Sequence, residues 1–361
     1  MSLSIAIVGL PNVGKSTLFN ALTDSSVLAA NYPFATIEPN TGIVPVPDPR
    51  LQVLSELYKS EKIIPATVTF VDIAGLVAGA SKGEGLGNQF LSHIRSCNAI
   101  CQVVRAFDNP DVLRSDSSRD PKHDIEIIST ELVLADLQTA EKRLPRLEKE
   151  AKANPKLKPV SEIMNKIFIH LNSGFPIWKD PELLAEYTEH LSDLQLMTAK
   201  PILYLFNIDE NALQGLTLQS ELSALVAPAP AVFVSAKLED ELRGLDENDR
   251  TEMLQSYGQT ESGLNKVIHS AYDLLGLQSY LTAGEKEVCA WTIDKGSTAP
   301  QAAGVIHGDF ERGFIAAQIV NYDDLVSTGS EQSAKQSGKM RTEGKTYIMK
   351  DGDVVEFKFN V

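Results

Sequence analysis

The sequence contains few cysteines and no long apolar run. Its 3 cysteines, Cys97, Cys101 and Cys289, are too few and too scattered in 361 residues to form a disulfide framework. No apolar run approaches about 18 residues, so no membrane-spanning helix is predicted. The first residues lead directly into an apolar strand instead of a charged segment with a cleavage site. These absences predict a soluble, cytoplasmic protein without a membrane partner.

Positive charge is also scarce. The chain has 33 Lys and Arg against 48 Asp and Glu, for a formal net charge of −15. This balance argues against a generally basic nucleic-acid coat protein, and no DNA specificity is expected. Acidic residues are concentrated at 239–252, where seven acids and two arginines give a net charge of −5. Hydrophobic residues make up 43% of the chain, which is enough for a sizeable core in two or three domains.

Basic residues do cluster in one helical stretch. Residues 124–197 are rich in helix formers, and residues 137–166 carry eight basic and four acidic side chains, a net charge of +4. Because Ala153, Asn154 and Pro155 interrupt the pattern, we expect a helical hairpin inserted into another domain. Two interpretations of its charge stay open: an ordinary solvated helix face, or a contact with a polyanion.

The remaining segments before residue 277 predict an α/β fold. Short apolar runs alternate with helical patterns, which is typical of a mostly parallel sheet covered on both faces. The predicted strands are Ile5–Val8, Thr67–Val71, Ala99–Val104, Pro201–Phe206 and Ala231–Val234. The last 80 or so residues predict a smaller α+β module, with Tyr347–Lys350 and Val354–Phe359 as a hairpin closed by Asp351 and Gly352.

The segment Gly9–Ser16 matches Gly-x-x-x-x-Gly-Lys-Ser/Thr directly after the first strand and at the start of a helix, which is the context of a P-loop. Backbone N–H groups and the helix N-terminus of such a loop surround phosphate oxygens. Lys15 is expected to reach the β- and γ-phosphates, and the Ser16 hydroxyl to bind Mg²⁺. The nucleotide-binding residues predicted in this loop are Asn12, Val13, Gly14, Lys15, Ser16 and Thr17.

A P-loop alone does not distinguish a kinase, an ATPase and a switch GTPase, so the following segments matter. Asp72 and Gly75 fit Asp-x-x-Gly at a strand end, where Asp72 can hold Mg²⁺ through water and the Gly75 N–H can meet the γ-phosphate. Thr36 lies in a polar loop, residues 31–40, and is placed to close on Mg²⁺. The glycine-rich stretch 79–87 suits a segment that changes conformation with the nucleotide.

Together these motifs resemble the YchF subfamily of translation-factor-class P-loop NTPases, the Obg-like ATPases. The resemblance covers Gly9–Thr17, Asn31–Gly42, Asp72–Phe90, Asn207–Glu210 and Lys350–Val361, from one end of the chain to the other. It implies a G domain at residues 1–123 and 198–277, a helical or coiled-coil insertion at 124–197, and a C-terminal TGS domain of β-grasp type at 278–361. It also implies a ribosome partner, chiefly the large subunit and its RNA. A monomer is expected.

Two departures from ordinary GTPases bear on mechanism. Leu76 follows Asp-x-x-Gly where Ras-like GTPases have a water-orienting Gln, and leucine has neither donor nor acceptor, so slow intrinsic hydrolysis is expected. The guanine-reading Asn-Lys-x-Asp is replaced by Asn207, Ile208, Asp209 and Glu210. The resemblance implies that ATP is preferred and GTP binds more weakly, with Asn207 and the Ile208 backbone at the base. Asp209 as a guanine reader stays an alternative.

Further site residues follow from the resemblance. Ser235, Ala236 and Lys237 match the loop that flanks the base, next to Glu210. Asn12 is placed either to help seat a K⁺ ion or only to hydrogen-bond within the phosphate loop. Arg114 stands where family members often carry His, and a guanidinium cannot act as a base near neutral pH, so a catalytic base at that position is in doubt.

The predicted function is a slow ATP-hydrolysing switch that binds the ribosome, with Lys15, Gly75 and Leu76 at the reacting phosphate and Mg²⁺ held by Ser16, Thr36 and Asp72. A GTPase switch of the same architecture and a non-catalytic RNA- or ribosome-binding scaffold are the alternatives.

Overall fold

The computed structural model describes residues 3–24, 41–73, 86–108 and 120–360. The chain divides into two compact units: one comprises residues 1–42 and 69–270, and the other comprises 43–68 and 271–361. The predictions for Thr36, Gly75, Leu76 and Arg114, and for the loops 31–40 and 79–85, lie outside the described residues.

A six-stranded sheet, most of which belongs to the first unit, has the strand order β2-β4-β1-β5-β6-β7. Its strands are β1 Ser4–Gly9, β2 Thr41–Pro45, β4 Thr67–Asp72, β5 Ala99–Ala106, β6 Ile202–Ile208 and β7 Ala231–Val234. The four pairings from β4 through β1, β5 and β6 to β7 are all parallel. β5 and β6 are buried along almost their whole length, as expected for strands covered on both faces. Each predicted strand is confirmed, within two residues at its ends.

Side-chain caps begin two helices of this unit: Ser235 precedes the helix that starts at Ala236, and Asp246 precedes the one that starts at Glu247. The helices of the sheet domain are α1 Lys15–Asp24, α3 Leu86–Ser96, α7 Leu216–Val226, α8 Ala236–Glu241 and α9 Glu247–Ser256; α10 Gly263–Leu274 crosses into the second unit. Cys97, Cys101 and Cys289 are buried and free, in agreement with the sequence.

The helical insertion consists of α4 Pro121–Ala153, α5 Lys158–Asn172 and α6 Pro181–His190. The Asp120 side chain caps α4, which ends at Ala153 as the sequence predicted. Helix α6 adds a third helix to the predicted hairpin. One hydrophobic cluster, including Leu147, Ile167 and Tyr187, joins all three helices, so this part of the chain has a core of its own.

Asp136 on α4 has no exposed surface. Its carboxylate accepts hydrogen bonds from the backbone N–H groups of Met197 (3.1 Å) and Thr198 (2.7 Å), where the insertion returns to the sheet. Arg95 on α3 lies 3.6 Å from the same carboxylate. Burial raises the pKa of Asp136, against the lowering effect of these hydrogen bonds.

The second unit contains its own six-stranded sheet, with the order β11-β10-β12-β8-β9-β3. The strands are β3 Ile63–Ile64, β8 Leu277–Ala283, β9 Val288–Asp294, β10 Phe314–Asn321, β11 Arg341–Glu343 and β12 Asp353–Phe359. The helices are α2 Pro49–Tyr58, α11 Ala299–Ile306, α12 Gly308–Arg312, α13 Tyr322–Thr328 and α14 Glu331–Gln336. Tyr280, Ala302 and Phe357 belong to its core.

Residues 43–68 group with the C-terminal residues, whereas the sequence placed them in the G domain. Short strand β3 pairs in parallel with β9, with Ile63 opposite Val288. The Asp48 side chain caps α2 and accepts hydrogen bonds from Arg50, which also donates to Asp351 (2.8 Å). These contacts join segments that are far apart in the sequence, which is why local patterns did not indicate the grouping.

The predicted C-terminal hairpin is wrong. β12 pairs with β10 and β8, and not with residues 347–350. Ile348 instead forms an isolated bridge with Thr298, and Met349 donates its N–H to the Ser297 carbonyl (2.9 Å). The Asp351–Gly352 turn is present, with Gly352 at a φ of 78°, and it leads into β12.

Candidate functional site

The phosphate-loop sequence forms a tight turn between β1 and α1. Asn12 and Gly14 have positive φ angles of 62° and 93°. Gly14 is required here for a second reason, because a Cβ on it would overlap the side-chain amide nitrogen of Asn207. The loop is followed at once by α1, which begins at Lys15, and Ser16 and Thr17 are exposed at the start of this helix.

Lys15 and Asp72 meet at the carboxyl ends of neighbouring strands. β1 and β4 are parallel, with Ile7 opposite Asp72. The Lys15 side chain is largely buried, and its ammonium forms an ion pair with the Asp72 carboxylate. This contact brings the phosphate-loop lysine next to the carboxylate that the sequence predicts as a Mg²⁺ ligand. It also shows that Asp72 holds Lys15 by a direct charge interaction, which the sequence did not predict.

Asn207 at the end of β6 is buried and connects two loops of the site. Its Nδ2 donates to the Val13 carbonyl (2.9 Å), and its Oδ1 accepts from the Ala236 N–H (2.9 Å). The sequence placed Asn207 at the base. In the structure its amide joins the phosphate loop to the start of α8, so Asn207 positions these two segments relative to each other.

The other residues of the expected base end lie on two neighbouring segments. Ile208 is buried, and the Asp209 carboxylate accepts the Asp108 N–H at 3.3 Å. Glu210 forms an ion pair with the exposed Lys237. The hydrogen bond from Lys237 lowers the pKa of Glu210, and the same bond raises the pKa of Lys237. The Glu210 carboxylate therefore has a partner within the protein.

Ser235 caps α8, its hydroxyl accepting the Leu238 N–H at 3.4 Å. Glu239, one of the seven acids at 239–252, is buried. Its carboxylate accepts hydrogen bonds from the Ser262 hydroxyl and the Gly263 N–H, both at 2.7 Å. Burial raises its pKa. Ser262 and Gly263 stand at the start of α10, where N–H groups need an acceptor. This helix start is the sequence signal that could have indicated a buried carboxylate such as Glu239.

Hard oxygen ligands suit Mg²⁺ at this site. The Ser16 hydroxyl is exposed at the start of α1, and Asp72 supplies a carboxylate beside the phosphate loop. Among the described residues there is no cluster of three or more His, Cys, Asp or Glu side chains that could hold a metal ion. Mg²⁺ bound with a nucleotide needs no such cluster, because phosphates and waters complete its coordination. The residues present therefore fit a nucleotide-associated Mg²⁺.

The helices that the structure describes include none that is long and apolar enough to span a membrane.

Two family models match the chain. One, described as "50S ribosome-binding GTPase", matches residues 4–166. The other is the C-terminal model of YchF GTPases, described as a protein of unknown function, and matches residues 277–360.

Curated proteins named "Ribosome-binding ATPase YchF" align with the chain from end to end. The Haemophilus influenzae protein is 50% identical over 364 residues, with 100% of both chains covered. The Bacillus subtilis protein is 48% identical over 367 residues, again with 100% of both covered. The chain belongs to the YchF family. The resemblance seen in the sequence is thereby confirmed.

Solved structures agree with this assignment. The Schizosaccharomyces pombe YchF GTPase has 40% identity and a TM-score of 0.86, covering 99% of this chain and 98% of that one. A GTP binding protein from Pyrococcus horikoshii, 22% identical with a TM-score of 0.58, covers 99% of this chain and 100% of its own, and shows the fold alone. The α/β P-loop fold with a helical insertion and a further C-terminal domain is confirmed.

Proposed function

We propose that this YchF-family chain is a slow ATPase that acts as a molecular switch on the ribosome. The observation that supports this most is the meeting of Lys15 and Asp72 beside a phosphate loop. It occurs in a chain about 50% identical, over its full length, to proteins named ribosome-binding ATPases. The reaction is hydrolysis of the β–γ phosphoanhydride of a nucleoside triphosphate.

At the phosphates, Lys15 exchanges its Asp72 partner for β- and γ-phosphate oxygens, while the N–H groups of residues 12–17 surround the same anion. Ser16, Thr36 and Asp72, the last through water, hold Mg²⁺. When bound with the nucleotide, this ion neutralises charge that develops on the phosphates. Asn12, with its positive φ, is proposed either to seat a K⁺ ion or to bond within the loop. Equal hydrolysis rates in KCl and NaCl would exclude the first role.

Slow hydrolysis follows from Leu76, because an aliphatic side chain cannot orient the attacking water. Gly75 supplies an N–H to the γ-phosphate. Arg114 is not a base near neutral pH, so the water is positioned by another group or by the partner.

For the base, we propose a preference for ATP over GTP. A guanine reader needs a carboxylate that is free to accept from the base, and the Glu210 carboxylate is instead paired with Lys237. The Ile208 backbone and the loop of Ser235, Ala236 and Lys237 then surround the adenine, while Asn207 keeps the two loops together. One observation favours the GTPase alternative: the model matching residues 4–166 is described as a GTPase. Calorimetric titration with ATP and GTP separates the two, and tighter GTP binding would refute the ATP assignment.

For the partner, we propose the large ribosomal subunit, including its RNA, with the protein acting as a cytoplasmic monomer. Exposed lysines of α4 such as Lys142 and Lys149 can meet RNA phosphates. The C-terminal unit, proposed to be a TGS domain of β-grasp type at 278–361, then reports the nucleotide state.

The deciding experiment measures ATP hydrolysis and sedimentation with and without large subunits. Lys15→Ala is expected to weaken ATP binding roughly 10- to 100-fold, because a charge-assisted contact to phosphate is lost. Lys286→Ala, which removes an exposed lysine between β8 and β9, is the matched control and should match the wild type. Unchanged ribosome association of the Lys15→Ala variant in the presence of ATP would instead favour a scaffold in which the nucleotide has no switching role.

A further inference from the structure

Two large apolar side chains lie exposed in the helical insertion, and they line one groove. Between residues 120 and 200, all of which the structure describes, the exposed large hydrophobics are Ile169 (56% exposed) and Phe175 (51% exposed). Both line a groove of about 460 Å³ between α5, α6 and the turn that joins them. Contiguous exposed apolar surface with a polar rim is typical of an interaction site.

The groove is built on ordered contacts. Leu183, which is buried, is one of its lining residues. The Phe175 N–H donates to the His170 carbonyl (3.3 Å), and the two rings lie 6.0 Å apart. His170 Nε2 lies 3.1 Å from the Pro176 carbonyl oxygen. Because the turn is fixed at both ends, Phe175 is presented without the entropy cost of ordering a free loop.

The charge around the apolar pair is negative. Asp180, Glu182 and Glu186 line the groove, and Lys166 is its one lysine or arginine. Lys166 donates to both carboxylate oxygens of Glu186, at 2.7 and 2.9 Å, so that its charge is matched. Asp180 and Glu182 remain as net negative charge, with Glu182 exposed on the rim. A polyanion such as RNA is repelled by this rim, and a cationic ligand is attracted.

We propose that the α5–α6 groove binds a basic protein segment, one in which an apolar side chain is flanked by lysine or arginine. The apolar side chain packs on Ile169 and Phe175, while the flanking cations meet Glu182 and Asp180. This rests on the proposed ribosome binding and names a second class of contact for it: basic protein at the groove, in addition to RNA at the lysines of α4.

The first test uses the full chain and a fluorescein-labelled hexapeptide that has leucine and tryptophan between two pairs of basic residues. Phe175→Ala is expected to weaken its binding roughly 5- to 30-fold, the range for an anchor side chain. Glu182→Lys is expected to weaken it about 3- to 10-fold and to reduce its salt dependence. Two variants are the matched controls. Leu216→Ala truncates an exposed apolar side chain outside the groove, and Glu189→Lys makes the same charge change as Glu182→Lys on α6 but outside the groove. Both should bind as the wild type does.

Equal peptide affinity of Phe175→Ala and Leu216→Ala, or of Glu182→Lys and Glu189→Lys, would overturn the proposal. So would a peptide with acidic residues in place of the basic ones that binds equally well, or a labelled RNA hairpin that competes for the groove.

Sedimentation with large subunits separates this proposal from the proposed function. If the wild type sediments with subunits and Phe175→Ala does not, with ATP affinity unchanged, both are supported. If both proteins sediment equally, the groove is not the ribosomal contact while ribosome binding stands. If neither sediments but the peptide results hold, the groove binds basic segments and ribosome binding fails.

Discussion

Asn207→Ala is expected to loosen the site and lower the stability of the whole chain. The truncation removes the hydrogen bonds to the Val13 carbonyl and from the Ala236 N–H, both 2.9 Å long and buried. Each buried group left without a partner costs about 1–3 kcal/mol. The expected loss in the free energy of unfolding is therefore about 2–5 kcal/mol, because water entering the space offsets part of the sum.

The assay is equilibrium unfolding in urea followed by circular dichroism, together with ATP titration calorimetry. Asn98→Ala is the matched control, because Asn98 also makes a long-range hydrogen bond, accepting the Ser4 N–H at 3.0 Å, but at an exposed position. It should cost under about 1 kcal/mol.

Asn207→Asp divides the effect between the two bonds. The carboxylate can still accept the Ala236 N–H, but at neutral pH it faces the Val13 carbonyl without a proton to donate. Protonation restores that donor, so this variant should regain stability as the pH falls, unlike Asn207→Ala. If Asn207→Ala is no less stable than Asn98→Ala and binds ATP normally, the bridging role assigned to Asn207 is refuted.

Three further results are expected. Burial raises the pKa of Asp136, so the native state binds that proton more tightly than the unfolded chain does. The native state therefore loses stability as the pH rises above the ordinary carboxyl pKa. Urea midpoints of Asp136→Asn, measured over roughly pH 4 to 7, should lack this fall in stability. Arg50→Lys should lower the urea midpoint by the equivalent of about 1–2 kcal/mol, because an ammonium cannot keep the forked contacts to two aspartates. Reversing Lys142, Arg143 and Arg146 to Glu should strongly weaken sedimentation with large subunits at low salt, and no loss would make this helix face an ordinary solvated one.

The parallel core of the first unit could be predicted from the sequence because each strand is a local signal. Ile5–Val8 and Ala99–Val104 are apolar runs of strand length, and they remain so whatever their partners are. The phosphate loop is equally local: Gly14 and Lys15 belong to one motif whose geometry the backbone dictates. The turn and the following helix are found where the motif predicts them.

Features set by distant partners could not be predicted in this way. The motif at 207–210 predicts a place for Asn207 at the base, but the hydrogen bonds of its amide with Val13 and Ala236 depend on segments outside that motif. Glu239 looked like one more acid in a charged run, and only the approach of Ser262 and Gly263 makes it a buried acceptor. The hairpin ending at Phe359 failed for the same reason, since β12 finds its partners in β10 and β8.

The pairing of β3 with β9 has a consequence for synthesis. Ile63 and Val288 are 225 positions apart, so the N-terminal segment of the second unit is made long before its partner strand. At about 5–20 residues per second, α2 and β3 wait roughly 10 to 45 s for β9 to be made. During that interval α2, which carries the buried residues Leu51 and Leu54, still lacks its contacts with β8, β9 and α13. The sheet of the second unit, to which β3 belongs, can therefore be completed only after strands β8 to β12 have been made.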